Sequence, residues 1–66
     1  MKVQPKLAYR HANYPSNTAL DPTRATEAVH ATNQPDWEAE GKIFVDSPNG
    51  APEMLLLRGE YTIIED

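Results

Sequence analysis

Sixty-six residues with ten Asp/Glu, six Lys/Arg and a net charge of −4 describe one small, acidic domain. With no cysteine there are no disulfides or thiolate metal sites, and His11 and His30 lack a metal-ligand spacing, so neither metal nor cofactor is expected. Negative charge also argues against nucleic acid or an anionic membrane as a direct partner, because phosphates repel it.

In chain order, Met1-Lys2-Val3-Gln4-Pro5 has no apolar signal-peptide core, and no later run approaches transmembrane length. A soluble, cytoplasmic protein is expected. Residues 1–19 read as an N-terminal strand or loop segment. Within them Lys6–Arg10 has weak strand character, with Leu7 and Tyr9 on one face. His11–Asn17 reads as turn, since Pro15 biases Tyr14 to extended geometry and Asn and Ser favour turns.

Residues 20–35 carry a helix pattern. Asp21 suits an N-cap and Pro22 the first helical position. Ala25, Ala28, Val29 and Thr32 recur at helical spacing, and Asn33 with Pro35 supplies a stop. About eleven residues fall below the roughly 12–15 at which an isolated helix is already marginal, so this one must dock on something.

Residues 42–66 read as an antiparallel meander. Ile43 and Val45 alternate with Lys42, Phe44 and Asp46, and Met54 and Leu56 point opposite to Leu55 and Leu57. Ser47–Pro52 is a turn with positive φ expected at Asn49-Gly50, and Arg58-Gly59 turns into Tyr61–Ile64. The expected fold is α+β: a single domain, 1–66, with a small antiparallel β-sheet of three to five strands and one short helix packed on one face. Apolar residues fall on both sheet faces, with Val45, Met54, Leu56 and Ile63 opposite Phe44, Leu55, Leu57 and Ile64. One short helix cannot cover both. Either the N-terminal segment packs on one face or apolar surface is kept for a partner.

No phosphate loop, nucleophile motif or metal motif is present, which points to a binder rather than an enzyme. All ten acids lie from Asp21 onward, against Arg24, Lys42 and Arg58, a net of −7 over residues 21–66. That is the charge sign of DNA on a compact scaffold, and it suggests a protein that occupies another protein's DNA groove.

The order Leu20-x-Pro22, Glu27-x-Val29, Asn33-x-Pro35, Ile43-Phe44-Val45, Met54-Leu55-Leu56, Glu60-Tyr61 and Ile63-Ile64 resembles the phage uracil-DNA glycosylase inhibitor (Ugi) family. The matching stretch runs from Leu20 to Asp66, about two-thirds of the chain. The resemblance implies a Ugi-like fold and a DNA mimic that acts in the cytoplasm of an infected bacterial host. A monomer would bind uracil-DNA glycosylase 1:1, blocking its DNA groove and trapping an apolar finger of the enzyme between helix and sheet. By position that cleft would be lined by Leu20, Ala25, Ala28, Val29, Val45, Met54, Leu56 and Ile63. Polar contacts would fall to Ser16, Asn17, Asp36, Glu38 and Glu40.

The family's glutamate–serine–aliphatic motif is not found. Ser16-Asn17-Thr18 holds its ungapped position, and a gapped alignment places Arg10-His11-Ala12 there. The family's first helix is not evident, and beyond the position of Asp66 the family continues into a last strand.

Three alternatives stay open. The face Val45/Met54/Leu56/Ile63 is either an ordinary core or an open cleft. Asp36, Glu38 and Glu40 form either a solvated loop or a phosphate mimic. The function is glycosylase inhibition, another phage or mobile-element DNA-mimic antagonist of the anti-restriction or anti-CRISPR kind, or an adaptor that lends a strand edge to a partner sheet. An exposed cleft favours inhibition, and a free strand edge without one favours the adaptor.

Overall fold

The computed structural model describes all residues, Met1–Asp66. Five strands, β1 (Lys2–Pro5), β2 (Thr26–His30), β3 (Ile43–Val45), β4 (Met54–Leu56) and β5 (Tyr61–Glu65), form one antiparallel sheet in the order β4-β3-β2-β1-β5. The only helical element is a 3-10 turn at Pro48–Gly50. The small antiparallel sheet read from the sequence is therefore present.

The helix over residues 20–35 is not. Its centre, Thr26–His30, is the middle strand of the sheet. Thr26-Glu27-Ala28-Val29-His30 satisfies strand alternation as well as helical spacing, with Ala28 buried between exposed Glu27 and Val29. β-Branched Thr26 and Val29 favour the strand locally, and pairing on both sides settles the competition. The first half of β2 pairs with β1 (Lys2↔Glu27, Val3↔Thr26) and the second half with β3 (Ala28↔Val45, His30↔Ile43). The Ala28 N–H donates to Met1 O at 2.8 Å, carrying the first ladder one residue further.

Asp21 does not cap a helix. Its Oδ1 accepts from the Thr23 N–H at 2.9 Å and from Thr23 Oγ1 at 2.6 Å, which is the same capping chemistry spent on a single turn.

Two further expectations need correcting. The N-terminal strand lies at Lys2–Pro5 rather than in Lys6–Arg10. The segment 42–66 is not a simple meander either: β3 and β4 form a hairpin, but β5 leaves β4 and pairs with β1 (Val3↔Ile63, Gln4↔Thr62, Pro5↔Tyr61). A register shift between Lys2 and Val3 leaves Ile64 as the extra residue of a bulge. Positive φ occurs at Asn49, Gly50 and Gly59, where the turns were expected.

The core is Val3, Leu20, Ala28, Ile43, Val45, Met54 and Leu56, with Tyr9 and Tyr61 packed at its margin. What covers it is not a helix but the long β1–β2 loop. That loop folds back on itself: the Leu20 N–H donates to Tyr9 O at 2.9 Å. Buried Thr18 accepts from the His11 N–H and donates to Tyr14 O at 2.6 Å. With both of its hydrogen bonds made, Thr18 is a buried hydroxyl at little cost, and it holds the cover in shape.

Candidate binding face

The cleft residues expected from the sequence divide in two. Leu20, Ala28, Val45, Met54 and Leu56 are buried together as the closed core, so the core alternative is the one the structure adopts for them. Ala25 is exposed in the turn before β2, Val29 points out from the opposite face at 57% exposure, and Ile63 sits at the sheet edge at 49%. With no helix there is no space between helix and sheet, and the eight residues line no common cleft.

The polar set also separates. Ser16 and Asn17 lie in the β1–β2 loop, where Asn17 O accepts from Asn49 Nδ2. Asp36, Glu38 and Glu40 are exposed in the β2–β3 loop, and Glu40 is paired with Lys42 at 3.4 Å. No groove is lined by both groups.

What the sheet assembles instead is its outer face. In and immediately flanking β2, β3 and β4 the residues pointing away from the core are Glu27 and Val29, Phe44 and Asp46, and Glu53, Leu55 and Leu57. Cross-strand register lines up Val29, Phe44 and Leu55 as one apolar row (Val29↔Phe44, Phe44↔Leu55). One step along each strand pair, the same registers place Glu27 beside Asp46 and Asp46 beside Glu53, all exposed and lining one shallow groove with Val29 and Phe44. Lys2 pairs with both Glu27 and Glu65, so this row continues through β1 to β5. Read across the sheet it is Glu53, Asp46, Glu27, Lys2, Glu65. At the usual strand spacing of about 4.8 Å it extends roughly 19 Å, and it lies about 7 Å from the apolar row.

None of these four carboxylates makes an ion pair; the molecule's one salt bridge is Lys42–Glu40. Like charges in directly opposed positions cost about 0.2–1 kcal/mol a pair. The repulsion is confined to the Glu53–Asp46–Glu27 end of the row, since Lys2 stands opposite Glu27 and Glu65 at the other end. Nor do the carboxylates converge on a metal, since no group of three acidic or histidine side chains is close enough to hold one.

Trp37 borders the apolar row. Its ring lies 6.1 Å from that of Phe44, tilted by 60°, with Lys42 Nζ 5.1 Å from the indole centroid. Half-buried Trp37 is thus partly anchor and partly surface. A second open groove, of about 440 Å³, runs beside β4 between Leu55, Leu57 and Glu60 and the loop residues Tyr9 and His11.

Sequence reasoning missed the acid row because its members come from separate segments of the chain, one in or beside each strand of the sheet. The one usable signal was that Asp46 and Glu53 each adjoin an alternating apolar segment, as in Val45-Asp46 and Glu53-Met54. No protein-family model matches this chain, and no curated protein or solved structure matches it either. No helix is long and apolar enough to cross a membrane.

Proposed function

We propose that this chain is a non-catalytic protein ligand that presents a DNA-like negative face to the basic, DNA-binding surface of another protein. The observation that carries this reading is the outer face of β2-β3-β4, where Glu27, Asp46 and Glu53 stand unpaired beside Val29, Phe44 and Leu55. Carboxylates left in mutual repulsion are explained if a cationic partner neutralises them. The adjacent apolar row supplies the area that holds a complex once charge has steered it together.

Uracil-DNA glycosylase is the first target, because the sequence resemblance names it. The contact differs from the one that resemblance implies: an apolar side chain of the enzyme would rest on Val29 and Phe44 beside Trp37, outside the core, and would not enter a cleft.

The test is uracil excision from duplex DNA with this protein in molar excess over glycosylase. Wild type should suppress excision, and the triple variant Glu27→Gln/Asp46→Asn/Glu53→Gln should suppress it far less. Full excision in the presence of wild type would remove the glycosylase as target. Running a restriction endonuclease and a CRISPR nuclease in parallel then decides whether another DNA-handling enzyme takes its place.

A further inference from the structure

A sheet of five strands has two edges, and here they are treated differently. On the β4 side, the Ala31 N–H donates to Lys42 O on the β2–β3 register. By antiparallel alternation this turns the N–H and C=O of Leu55 outward, with those of Leu57 next in line. Leu57 is satisfied locally: its N–H donates to Glu60 Oε1 at 2.7 Å and its carbonyl accepts from the Glu60 N–H at 3.0 Å. Pro52 precedes the strand, which is only three residues long. A short strand, a proline and a capped end are the means by which edges are blunted.

Over Tyr61–Ile63 the β5 edge has none of these, and the bulge at Ile64 lies beyond that stretch. The Lys6 N–H donates to Glu60 O on the β1–β5 register, so Thr62 bonds to β1 while Tyr61 and Ile63 turn their backbone groups outward. The strand Tyr61-Thr62-Ile63-Ile64-Glu65 is five residues long, rich in β-branched side chains, and charged only at its last position. Ile63 shares the core face with fully buried Val3, its register partner, yet is 49% exposed. The core simply runs out at this edge.

We propose that β5 pairs antiparallel with β5 of a second copy of this chain, about a two-fold axis at Thr62, joining two sheets into one of ten strands. A free edge admits a foreign strand as well, but this one is complementary to itself. Centred on Thr62, the outward groups of Tyr61 meet those of Ile63 of the other copy, and the reverse. That gives two bonded pairs, each exchanging two hydrogen bonds.

On the core face each half-exposed Ile63 is then covered by a tyrosine. On the outer face Thr62 meets Thr62, a favoured cross-strand pair. No carboxylate faces another, and Arg58 of one copy comes to the same end as Asp66 of the other. Shifting the axis to Ile63 would instead set Glu60 against Asp66. Symmetry also closes the assembly, because the only other edge is the blunted one.

A small core without disulfides gains from such an association, which is one of the usual supplements for domains of this size. The dimer replaces the monomer expected from the sequence. It leaves the outer face of β2-β3-β4 free, so each copy still offers one binding face.

The experiment is sedimentation equilibrium over a wide concentration range on the full chain, wild type against Ile63→Pro and Ile63→Lys. Ile63→Pro removes an N–H that the single copy does not use, and Ile63→Lys places a charge on the edge. Wild type should reach twice the 7.4 kDa chain mass, with a melting temperature that rises with concentration. Both variants should stay at the single mass with unchanged circular dichroism. If Ile63→Pro fails to fold, Ile63→Lys carries the comparison. Wild type that stays at the single mass up to millimolar concentration, including a chain that pairs only with a foreign strand, would overturn the proposal. So would a dimer that both variants retain. A mixed-label sample should show Tyr61–Ile63 contacts between copies, and a dimer without them refutes the register. The excision assay is independent, since neither variant touches the acid row.

Discussion

At the scale of single residues, two glycines separate backbone strain from crowding. Gly41 (φ +74) and Gly50 (φ +75) both sit in the left-handed region, where alanine costs about 1–2 kcal/mol. At Gly50 a Cβ would meet open space, whereas at Gly41 it would lie 2.8 Å from Arg58 Nε, which can swing aside, and 3.2 Å from Arg58 Cβ, which cannot. Both Gly→Ala variants should therefore melt early, with Gly41→Ala the worse by a measurable margin in thermal unfolding. One kcal/mol moves a domain of this size by about 4–8 °C.

Asp21 gives a pH prediction. Its bonds from the Thr23 hydroxyl and the Thr23 N–H, with Arg24 adding a smaller pull, hold its carboxyl below the usual 3.8. A depressed carboxylate contributes stability above its unfolded value, and that contribution disappears as pH falls through the lower folded one. The stability gap between wild type and Asp21→Ala should then be constant near neutrality and close only below about pH 4. Denaturant titrations at several pH values measure it.

At the scale of elements, β2 is the instructive case. Strands β3, β4 and most of β5 were legible because Ile43–Val45, Met54–Leu56 and Tyr61–Ile64 allow only one periodicity and are bounded by turn residues. Thr26–His30 fits two periodicities, and Asp21-Pro22 opens a turn as readily as a helix, so local signals pointed the wrong way until β1 and β3 supplied partners. β1 escaped notice because it is four residues with Pro5 at its end. That proline is tolerated because its missing N–H would face past Thr26, where β2 has not yet begun.

The acid row was illegible for a related reason. Glu27, Asp46 and Glu53 become neighbours only through registers that no single segment contains. Two variants test these elements. Ala28→Leu pushes a larger side chain into the closed core between β1 and β3, and should cost roughly 1–3 kcal/mol in denaturant unfolding. Asp46→Asn removes the central carboxylate of the row, relieving two opposed pairs. It should raise the melting temperature while weakening association with a basic partner, the trade expected where a surface is kept for function rather than stability. A merely solvated carboxylate would leave both readouts unchanged.

At the scale of the whole molecule, a sheet with one face covered by its own long loop and the other only flanked, by Trp37 and the loop residues Tyr9 and His11, has a built-in polarity. The covered face folds the chain; the other carries Glu27, Asp46 and Glu53, none in an ion pair, beside Val29, Phe44 and Leu55, and is the face that the proposed function gives to a cationic partner. Its charge should act chiefly on encounter. Neutralising Glu27, Asp46 and Glu53 together should slow association at low salt roughly tenfold or more and flatten its salt dependence. Val29→Ser, at an exposed position, should leave folding intact and speed dissociation instead. Stopped-flow mixing resolves the two effects.

The most direct test of the binding face is an amide-resonance footprint of the labelled protein titrated with uracil-DNA glycosylase. The perturbed residues should be Glu27, Val29, Phe44, Asp46, Glu53 and Leu55, a set contiguous on the sheet and scattered in sequence. A footprint confined to Asp36–Glu40, or to Ser16 and Asn17, would contradict it, and no footprint at all would remove the glycosylase as target.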